Sequence, residues 1–337
     1  MELHPAVAER LARLAPDQRA AATAPPGPSL CIAPAGSGKT TTLVARAAWL
    51  IATGTPPDRI RAITFNKRAA VEMTERLDAA LAPLDVEPGA VRVRTFHALG
   101  REILRDANVA VDPLVDRAAT LADVAPWADA ADLRRLDTVI SRLKVDLGVG
   151  AAEVAADPEA GRFGRAFVDY ESAVRATGGL DFDDLILRAI ERLDGDATLL
   201  ARWRSRCAEL LVDEVQDVDR AQLRLALLLA APANRIFLVG DDDQSIYGWR
   251  LADVRASVYR IRPTAPGRCT TLRSGWRRTA SSARTQRWQS RAFAQTQRRA
   301  TDWPSRRSVS TRSIESMSMI SMVPRLYPRF PRAGTPT

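Results

Sequence analysis

The stretch Ala33-Pro34-Ala35-Gly36-Ser37-Gly38-Lys39-Thr40 lies between a short apolar run, residues 30–32, and a segment from Thr41 to Ile51 with helical apolar spacing. This order of strand, glycine-containing loop and helix is typical of a phosphate-binding loop. Glycines let backbone N–H groups turn toward phosphates, and the helix N-terminus carries a partial positive charge. The pattern departs from the usual one at Ala33, which replaces the first glycine. The stretch predicts a nucleoside-triphosphate site.

The residue types of this loop predict how ATP and Mg²⁺ are held. Lys39 is suited to reach the β and γ phosphates, and Thr40 offers a hydroxyl to the metal. The predicted nucleotide-binding residues of the loop are Ala35, Gly36, Ser37, Gly38, Lys39, Thr40 and Thr41.

A second motif, Leu211-Val212-Asp213-Glu214-Val215-Gln216-Asp217, ends an apolar strand in adjacent acids. Asp213 is predicted to hold the magnesium ion, and Glu214 to orient and deprotonate the attacking water. Considered alone, two acids after a strand also fit a solvated loop. With the phosphate-binding loop present, that alternative becomes the minor one, and the two motifs predict two halves of one hydrolytic site.

Two glutamines are further candidates. Gln18, in a predicted helix start, can donate and accept toward an adenine edge, the alternative being an ordinary exposed side chain. Gln244 lies in a polar loop, Gly240 to Arg250, that follows the predicted strand 236–239, and is suited to sense the γ phosphate. In the same loop Tyr247 and Trp249 offer faces for stacking bases, unless they only fill the gap to a neighbouring domain.

Strands and helices alternate along most of the chain. Strands are predicted at 60–65 and 91–96, and helices at 67–81 and 97–106, which indicates an α/β fold with a parallel sheet covered on both faces. From about 107 to 177 the strand signal disappears, which predicts an inserted helical subdomain. The α/β pattern then resumes through the acidic strand, a helix near 220–229 and the strand 236–239.

Composition narrows the class of protein. The 337 residues are 46% hydrophobic and 26% charged, as expected for a globular chain. The longest apolar stretch, Leu223 to Ala231, is interrupted by Arg224, and no signal peptide is recognisable, so we expect no membrane association and a cytoplasmic location. Three cysteines without metal-site spacing and only two histidines argue against a Cys/His metal cluster.

The net charge of +9 is unevenly distributed. The segment from Arg260 onward holds 17 arginines, no lysine and two acids, which leaves the preceding residues with a net charge of −6. The basic character therefore belongs to the tail and not to the part that carries the motifs.

The motifs together resemble the amino-terminal half of a superfamily 1 DNA helicase of the UvrD/Rep/PcrA type, over about residues 10 to 258. Six segments are similar to family motifs in order: Pro16-Asp17-Gln18, Ala33 to Thr41, Thr64 to Ala70, Thr95-Phe96-His97, Asp213 to Asp217, and Gly240 to Arg250. Asp181-Phe182-Asp183-Asp184-Leu185 also matches a family segment. Departures at Val215, Asp219 and Leu251 remove no catalytic group.

The resemblance implies a RecA-like P-loop motor domain that couples hydrolysis of Mg-ATP to 3′-to-5′ movement along single-stranded DNA or 3′-tailed duplex DNA. It implies that Gln18 and Gln244 act at the nucleotide. It also implies that five residues lie along the DNA track or the seam between motor domains: Phe65, His97, Tyr247, Trp249 and Arg250. DNA repair, replication restart and plasmid replication all remain open as the process served, and the oligomeric state is also open.

The expected domains are a motor domain from 1–106 and 191–260, an insertion from 107–190, and an Arg/Ser/Thr-rich tail from 261–337 that is disordered or the product of a frameshift. The family uses a second RecA-like domain whose arginines contact the γ phosphate, and the tail does not resemble one. Its fragment Leu272 to Arg277 has only a faint similarity to the next family motif. The alternative to a working helicase is therefore a truncated fragment that binds ATP and DNA with negligible turnover.

Overall fold

The computed structural model describes residues 3–241 and 270–273. Its strands form one parallel sheet, and their bounds are β1 Ser29–Ile32, β2 Ile60–Thr64, β3 Arg92–Thr95, β4 Glu209–Val212, β5 Ile236–Gly240 and β6 Thr270–Arg273. The order across the sheet is β3-β2-β4-β5-β1-β6. Every residue of β1, β2, β4 and β5 is buried, as expected for a parallel sheet covered on both faces.

Twelve α-helices lie in the described part of the chain. Their bounds are α1 Pro5–Ala12, α2 Pro16–Ala22, α3 Lys39–Ala52, α4 Lys67–Leu81, α5 Phe96–Asp106, α6 Arg117–Val124, α7 Ala130–Ser141, α8 Ala151–Ala155, α9 Gly161–Thr177, α10 Asp184–Gly195, α11 Ala197–Arg206 and α12 Arg220–Ala230. None of these helices has the length and apolar composition needed to cross a bilayer. The α/β fold class expected from the sequence is confirmed.

Local chemistry explains where the helices around the sheet begin. Asn66 caps α4 by accepting a hydrogen bond from the backbone N–H of Ala69 at 2.9 Å, and Thr95 caps α5 through Ala98 at 3.2 Å. Both helices start directly after a strand, and Thr64 and Thr95 are partners in the register of β2 and β3. The N-termini of α4 and α5 are therefore neighbours at the carboxyl edge of the sheet.

Two compact units make up the described residues. The first contains the residues up to Asp112 and those from Phe182, and the second runs from Pro113 to Asp181. These boundaries differ from the expected insertion of 107–190, because α10 packs against α5 and α12 in the first unit. Strand β6, which pairs with β1, also lies in the segment expected to be a disordered tail, so at least residues 270–273 depart from that expectation.

The first unit has a hydrophobic core between the sheet and its helices. Apolar side chains of α3 and α4, among them Leu43, Leu50 and Leu77, are at most 1% exposed and pack with residues of the strands. Burial of this kind contributes about 1.5 to 3 kcal/mol per large side chain. It fixes α3, and with it the loop that precedes this helix.

The second unit is built around a buried carboxylate. Asp181 is fully buried, and its Oδ2 accepts hydrogen bonds of 2.8 Å each from Lys144 Nζ, Arg117 Nη2 and Tyr170 Oη. Burial alone would raise the pKa of Asp181, but Lys144 and Arg117 outweigh it and hold that pKa well below its usual range. The backbone N–H of Val115 also donates to Leu180 at 2.9 Å, which ties together the two ends of this unit.

Candidate active site

The sheet order brings the two sequence motifs to one edge. Strand β5 lies between β1, which precedes the glycine-containing loop, and β4, which precedes the acidic pair. In the parallel register Ile32 is opposite Gly240, and Val212 is opposite Leu238. The residues that follow all three strands therefore share the carboxyl edge, where α/β sheets bind ligands.

The loop between β1 and α3 has the backbone of an anion site. Gly36 and Gly38 have φ angles of 74° and 81°, in the left-handed region that side chains disfavour. Gly38 is the N-cap of α3 and offers no side chain to the free N–H groups of the first turn. Ala35, Gly36 and Ser37 lie in the loop, whereas Lys39, Thr40 and Thr41 form that first turn. The N–H of Ser37 donates to the carbonyl oxygen of Pro34 at 3.2 Å, and a phosphate fits the remaining backbone donors.

Lys39 contacts three oxygen atoms of the protein. Its Nζ lies 3.2 Å from the carbonyl oxygen of Ala33, 3.4 Å from that of Pro34 and 3.4 Å from Oδ2 of Asp241. The Lys39 and Asp241 side chains are 10% and 2% exposed. The ammonium group is thus held over the loop by carbonyls and a carboxylate, the kinds of oxygen that phosphates can replace.

The acidic pair is held in a defined geometry at the end of β4. The backbone N–H of Asp213 donates to Ile63 at 2.8 Å, and the N–H of Glu214 donates to Oδ1 of Asp213 at 3.0 Å. Burial and the neighbouring Glu214 carboxylate raise the pKa of Asp213 to about 6, against the opposing effects of Lys39 and Arg76. A desolvated carboxylate whose pKa is raised beside a second carboxylate is a candidate for a functional site.

Glu214 has an unusual backbone conformation, with φ 51° and ψ 46°. A non-glycine residue in the left-handed region costs on the order of 1 kcal/mol, and such outliers cluster at functional sites. The strain supports a functional position for this carboxylate.

Gln18 binds the phosphate loop directly. Its Nε2 donates to the carbonyl oxygen of Ser37 at 2.6 Å, and its Oε1 accepts from the backbone N–H of Ala15 at 3.0 Å. A Cβ on Gly38 would lie 2.6 Å from the same Nε2, so the close approach requires a glycine. Both ends of the Gln18 amide therefore have protein partners, which hold this side chain beside the loop.

The donor set fits Mg-ATP. Ser37 Oγ is buried without a hydrogen-bond partner among the described residues, in a loop that also offers free backbone N–H groups and the Lys39 ammonium. Hydroxyl and carboxylate oxygens, as in Thr40 and Asp213, are the ligands that Mg²⁺ prefers.

Exposed aromatic rings lie in the first unit. Phe65, directly before the N-cap of α4, is 54% exposed, and Phe182 is 53% exposed. The ring of His97 stacks on Phe182 with centroids 3.8 Å apart and an interplanar angle of 20°. Burial lowers the pKa of His97 to about 4, partly offset by Asp183, so the imidazole is neutral at pH 7.

Comparison with known proteins identifies the group to which this architecture belongs. The family model for the UvrD/REP helicase N-terminal domain matches residues 14–260. The chain belongs to the UvrD/REP helicase family.

Named relatives agree with this assignment to the UvrD/REP family. ATP-dependent DNA helicase Rep of Escherichia coli K12 is 36% identical over 252 residues, which cover 71% of this chain and 37% of Rep. DNA helicase II of Salmonella typhimurium is 34% identical over 280 residues, covering 78% and 38%. PcrA of Leuconostoc citreum is 36% identical over 243 residues, covering 68% and 32%. The chain thus spans about a third of the length of these relatives.

Within this UvrD/REP chain, four predicted site residues lie outside the described residues: Gln244, Tyr247, Trp249 and Arg250. The structure also draws attention to two residues that sequence reasoning gave no role. Phe182 was part of a recognised segment, but only the structure reveals its exposed ring. Gln216 belongs to the acidic box, and its hydrogen bonds with Glu214 and Asp241 explain why a glutamine fits there.

Proposed function

We propose that the first unit is the ATP-binding motor domain of a UvrD-type DNA helicase that moves 3′ to 5′ along single-stranded DNA. The observation that carries this proposal is the contact between Lys39 and Asp241, the residue that follows β5. The neighbouring strand β4 ends in the acidic pair. The names of the relatives, ATP-dependent DNA helicases among them, support the same reaction class.

In this proposal the loop residues hold the nucleotide. Backbone N–H groups from Ala35 to Thr41 and the Lys39 ammonium bind the triphosphate, and Gln18 keeps the loop in place near the adenine side. Thr40 and Asp213 would hold Mg²⁺, which when bound neutralises charge on the phosphates. Glu214 orients the attacking water and accepts its proton, and Gln244 is proposed to sense the γ phosphate.

The proposed DNA track follows the carboxyl edge of the first unit. Phe65 and Phe182 offer exposed rings on which bases can stack, with His97 supporting Phe182 from behind. Lys67 and Arg68 are exposed in the first turn of α4, where positive charge is unfavourable for the helix dipole. An anionic partner compensates that cost. Tyr247, Trp249 and Arg250 are proposed to extend the track.

Turnover by the 337-residue chain alone is expected to be slow. Arginines from a second motor domain accelerate this reaction by about 10³ to 10⁵, and the described residues contain no such domain. The proposal for complete unwinding therefore concerns a motor with both domains. A chain that binds ATP and DNA without measurable turnover is the alternative that the following experiment distinguishes.

The test is the ATPase rate of the full chain with and without single-stranded DNA, measured under single-turnover conditions. We expect a slow, DNA-stimulated rate that Lys39→Ala and Glu214→Gln both abolish, whereas Lys144→Ala, in the other unit, leaves the ATP affinity intact. Binding of ATP without any hydrolysis would favour the non-catalytic alternative. An ATPase rate insensitive to both site variants would contradict the proposed function.

A further inference from the structure

Gln216 is almost completely buried, at 2% exposure, and both ends of its amide are used. Its Nε2 donates to Oε2 of Glu214 at 2.6 Å, and its Oε1 accepts from the backbone N–H of Asp241 at 3.0 Å. A carboxylate can only accept and a backbone N–H can only donate, so one orientation of the amide satisfies both partners. The side chain is therefore fixed between the two residues.

Asp241 extends this connection to the phosphate loop. It follows β5, the strand between the two motif strands, and its side chain lies 3.4 Å from Lys39 Nζ. The contacts form a continuous series from Lys39 through Asp241 and Gln216 to Glu214. Residues at the two ends of this series belong to opposite halves of the nucleotide site.

Because Gly240 has no side chain, it leaves room for the side chain of Gln216. A Cβ at Gly240 would lie 2.8 Å from Oε1 of Gln216 and 2.6 Å from Cγ1 of Val215, both closer than real Cβ contacts. The backbone of Gly240 is not in the left-handed region, so the close approach alone calls for glycine here. The end of β5 is thus shaped to accept this glutamine.

We propose that Gln216 is a positioning residue, which fixes the Glu214 carboxylate and links its position to that of Lys39 through Asp241. The inference rests on the proposed function of Glu214 in ATP hydrolysis. A carboxylate on a strained backbone has several rotamers, and a displacement of about 1 Å can cost on the order of 100-fold in rate. If bound nucleotide moves Lys39 away from Asp241, the same series of contacts would change the position of the Glu214 carboxylate.

The kinetic test compares Gln216→Met with Glu214→Gln in single-turnover hydrolysis and in ATP binding by the full chain. We expect Gln216→Met to lower the hydrolysis rate about 10- to 100-fold and to change the ATP dissociation constant less than threefold. Gly240→Ala, which displaces Gln216 from the other side, should have the same effect as Gln216→Met.

Gln222→Met is the matched control, since Gln222 is a buried glutamine at 6% exposure whose Oε1 accepts from the backbone N–H of Asp219, the N-cap of α12. It should lower thermal stability without a selective loss of rate. An unchanged rate in Gln216→Met, in a chain whose hydrolysis Glu214→Gln abolishes, would overturn this inference and leave the proposed function intact. An equal loss of rate in Gln222→Met would overturn it too.

A second measurement does not depend on turnover. In ¹⁵N-labelled protein, the side-chain amide of Gln216 should exchange slowly with solvent and should shift in Lys39→Ala, in Glu214→Gln and on addition of ATP. Arg13→Ala, at an exposed arginine after α1, should leave it unchanged. A Gln216 amide that exchanges rapidly, or that is insensitive to Lys39→Ala, would overturn the proposed link even if the chain hydrolyses no ATP.

Discussion

The Nζ atom of Lys39 lies 3.4 Å from Oδ2 of Asp241, although 202 positions separate the two residues in the sequence. Because β5 is inserted between β1 and β4, this contact joins the phosphate loop to the strand beside the acidic pair. Lys39 is therefore already paired with a carboxylate, which the phosphates replace in the proposed function.

Substitution Asp241→Asn should tighten nucleotide binding. Removing the carboxylate leaves Lys39 without this anionic partner in the free protein, and a hydrogen bond between charged groups contributes about 1.5 kcal/mol, or roughly tenfold in affinity. The measurement is the ADP dissociation constant in the absence of divalent cations. Asp194→Asn, which removes an exposed partner of Arg224, is the control and should change nothing. Weaker binding in Asp241→Asn would contradict a competing role for Asp241.

Phe65→Ala and Phe182→Ala should each weaken binding of single-stranded DNA. Loss of a stacking ring costs about 1 to 3 kcal/mol per base. Fluorescence anisotropy with a labelled oligonucleotide measures the effect at fixed salt, since affinity for DNA depends on ionic strength. Val71→Ala, at the same 54% exposure as Phe65, should bind as the wild type does. Affinities that do not differ among the three variants would refute the stacking role.

Asp181→Ala should destabilise the second unit by about 3 to 5 kcal/mol, because it removes the carboxylate shared by the buried Lys144 and the half-buried Arg117. Hydrogen exchange of residues 113–181 is the direct measurement. Asp137→Ala removes a 57% exposed partner of the same Arg117 and should cost less than about 1 kcal/mol. Similar protection in the two variants would show that Asp181 is not the centre of this unit.

Acid should destabilise the first unit through His97. Its pKa is about 4 in the folded chain, below the ordinary value of 6.5, so the unfolded chain binds this proton first. Folding stability from this residue therefore falls as the pH drops from about 6.5 to about 4. The contribution of Asp213 to folding stability changes in the opposite direction as the pH falls. Its raised pKa of about 6 means that the folded chain binds a proton at this residue before the unfolded chain does.

Comparison of the wild type with His97→Phe isolates the histidine contribution. Relative to this variant, the wild type should lose on the order of 1 kcal/mol per pH unit between pH 6 and 4.5. Urea unfolding at several pH values measures the difference, and His4→Gln at the exposed start of α1 should behave as the wild type does. If the wild type became more stable relative to His97→Phe as the pH falls, this would contradict the conclusion that His97 is a buried, neutral imidazole.

The sequence predicted most of the sheet, and it predicted α4 with the bounds that the structure gives, 67–81. It also predicted the types of residue at the nucleotide site. It did not predict that β5 lies between β1 and β4, since strand order depends on packing between distant segments. The contacts of Gln216 and Asp241 follow from that order, as does the pairing of β6 with β1.

The Gln18 amide is another case in which the contacts depend on packing that the sequence does not reveal. Its capacity to donate and accept is evident from the residue type, but its partners, Ser37 and Ala15, are set by how α2 packs beside the loop. Likewise, a phenylalanine between Asp181 and Asp183 suggests a buried ring on hydrophobicity alone. Its 53% exposure is a property of the folded surface.

The most direct test of the account is binding of Mg-ATP by the full chain, measured with a fluorescent ATP analogue in the wild type, Lys39→Ala and Lys67→Ala. Loss of a charged hydrogen-bond donor to phosphate costs about 1.5 to 3 kcal/mol, so Lys39→Ala should bind roughly 10- to 100-fold more weakly, while Lys67→Ala should match the wild type. Equal affinity in Lys39→Ala and the wild type would contradict the central claim that this loop is the phosphate-binding half of an ATP site.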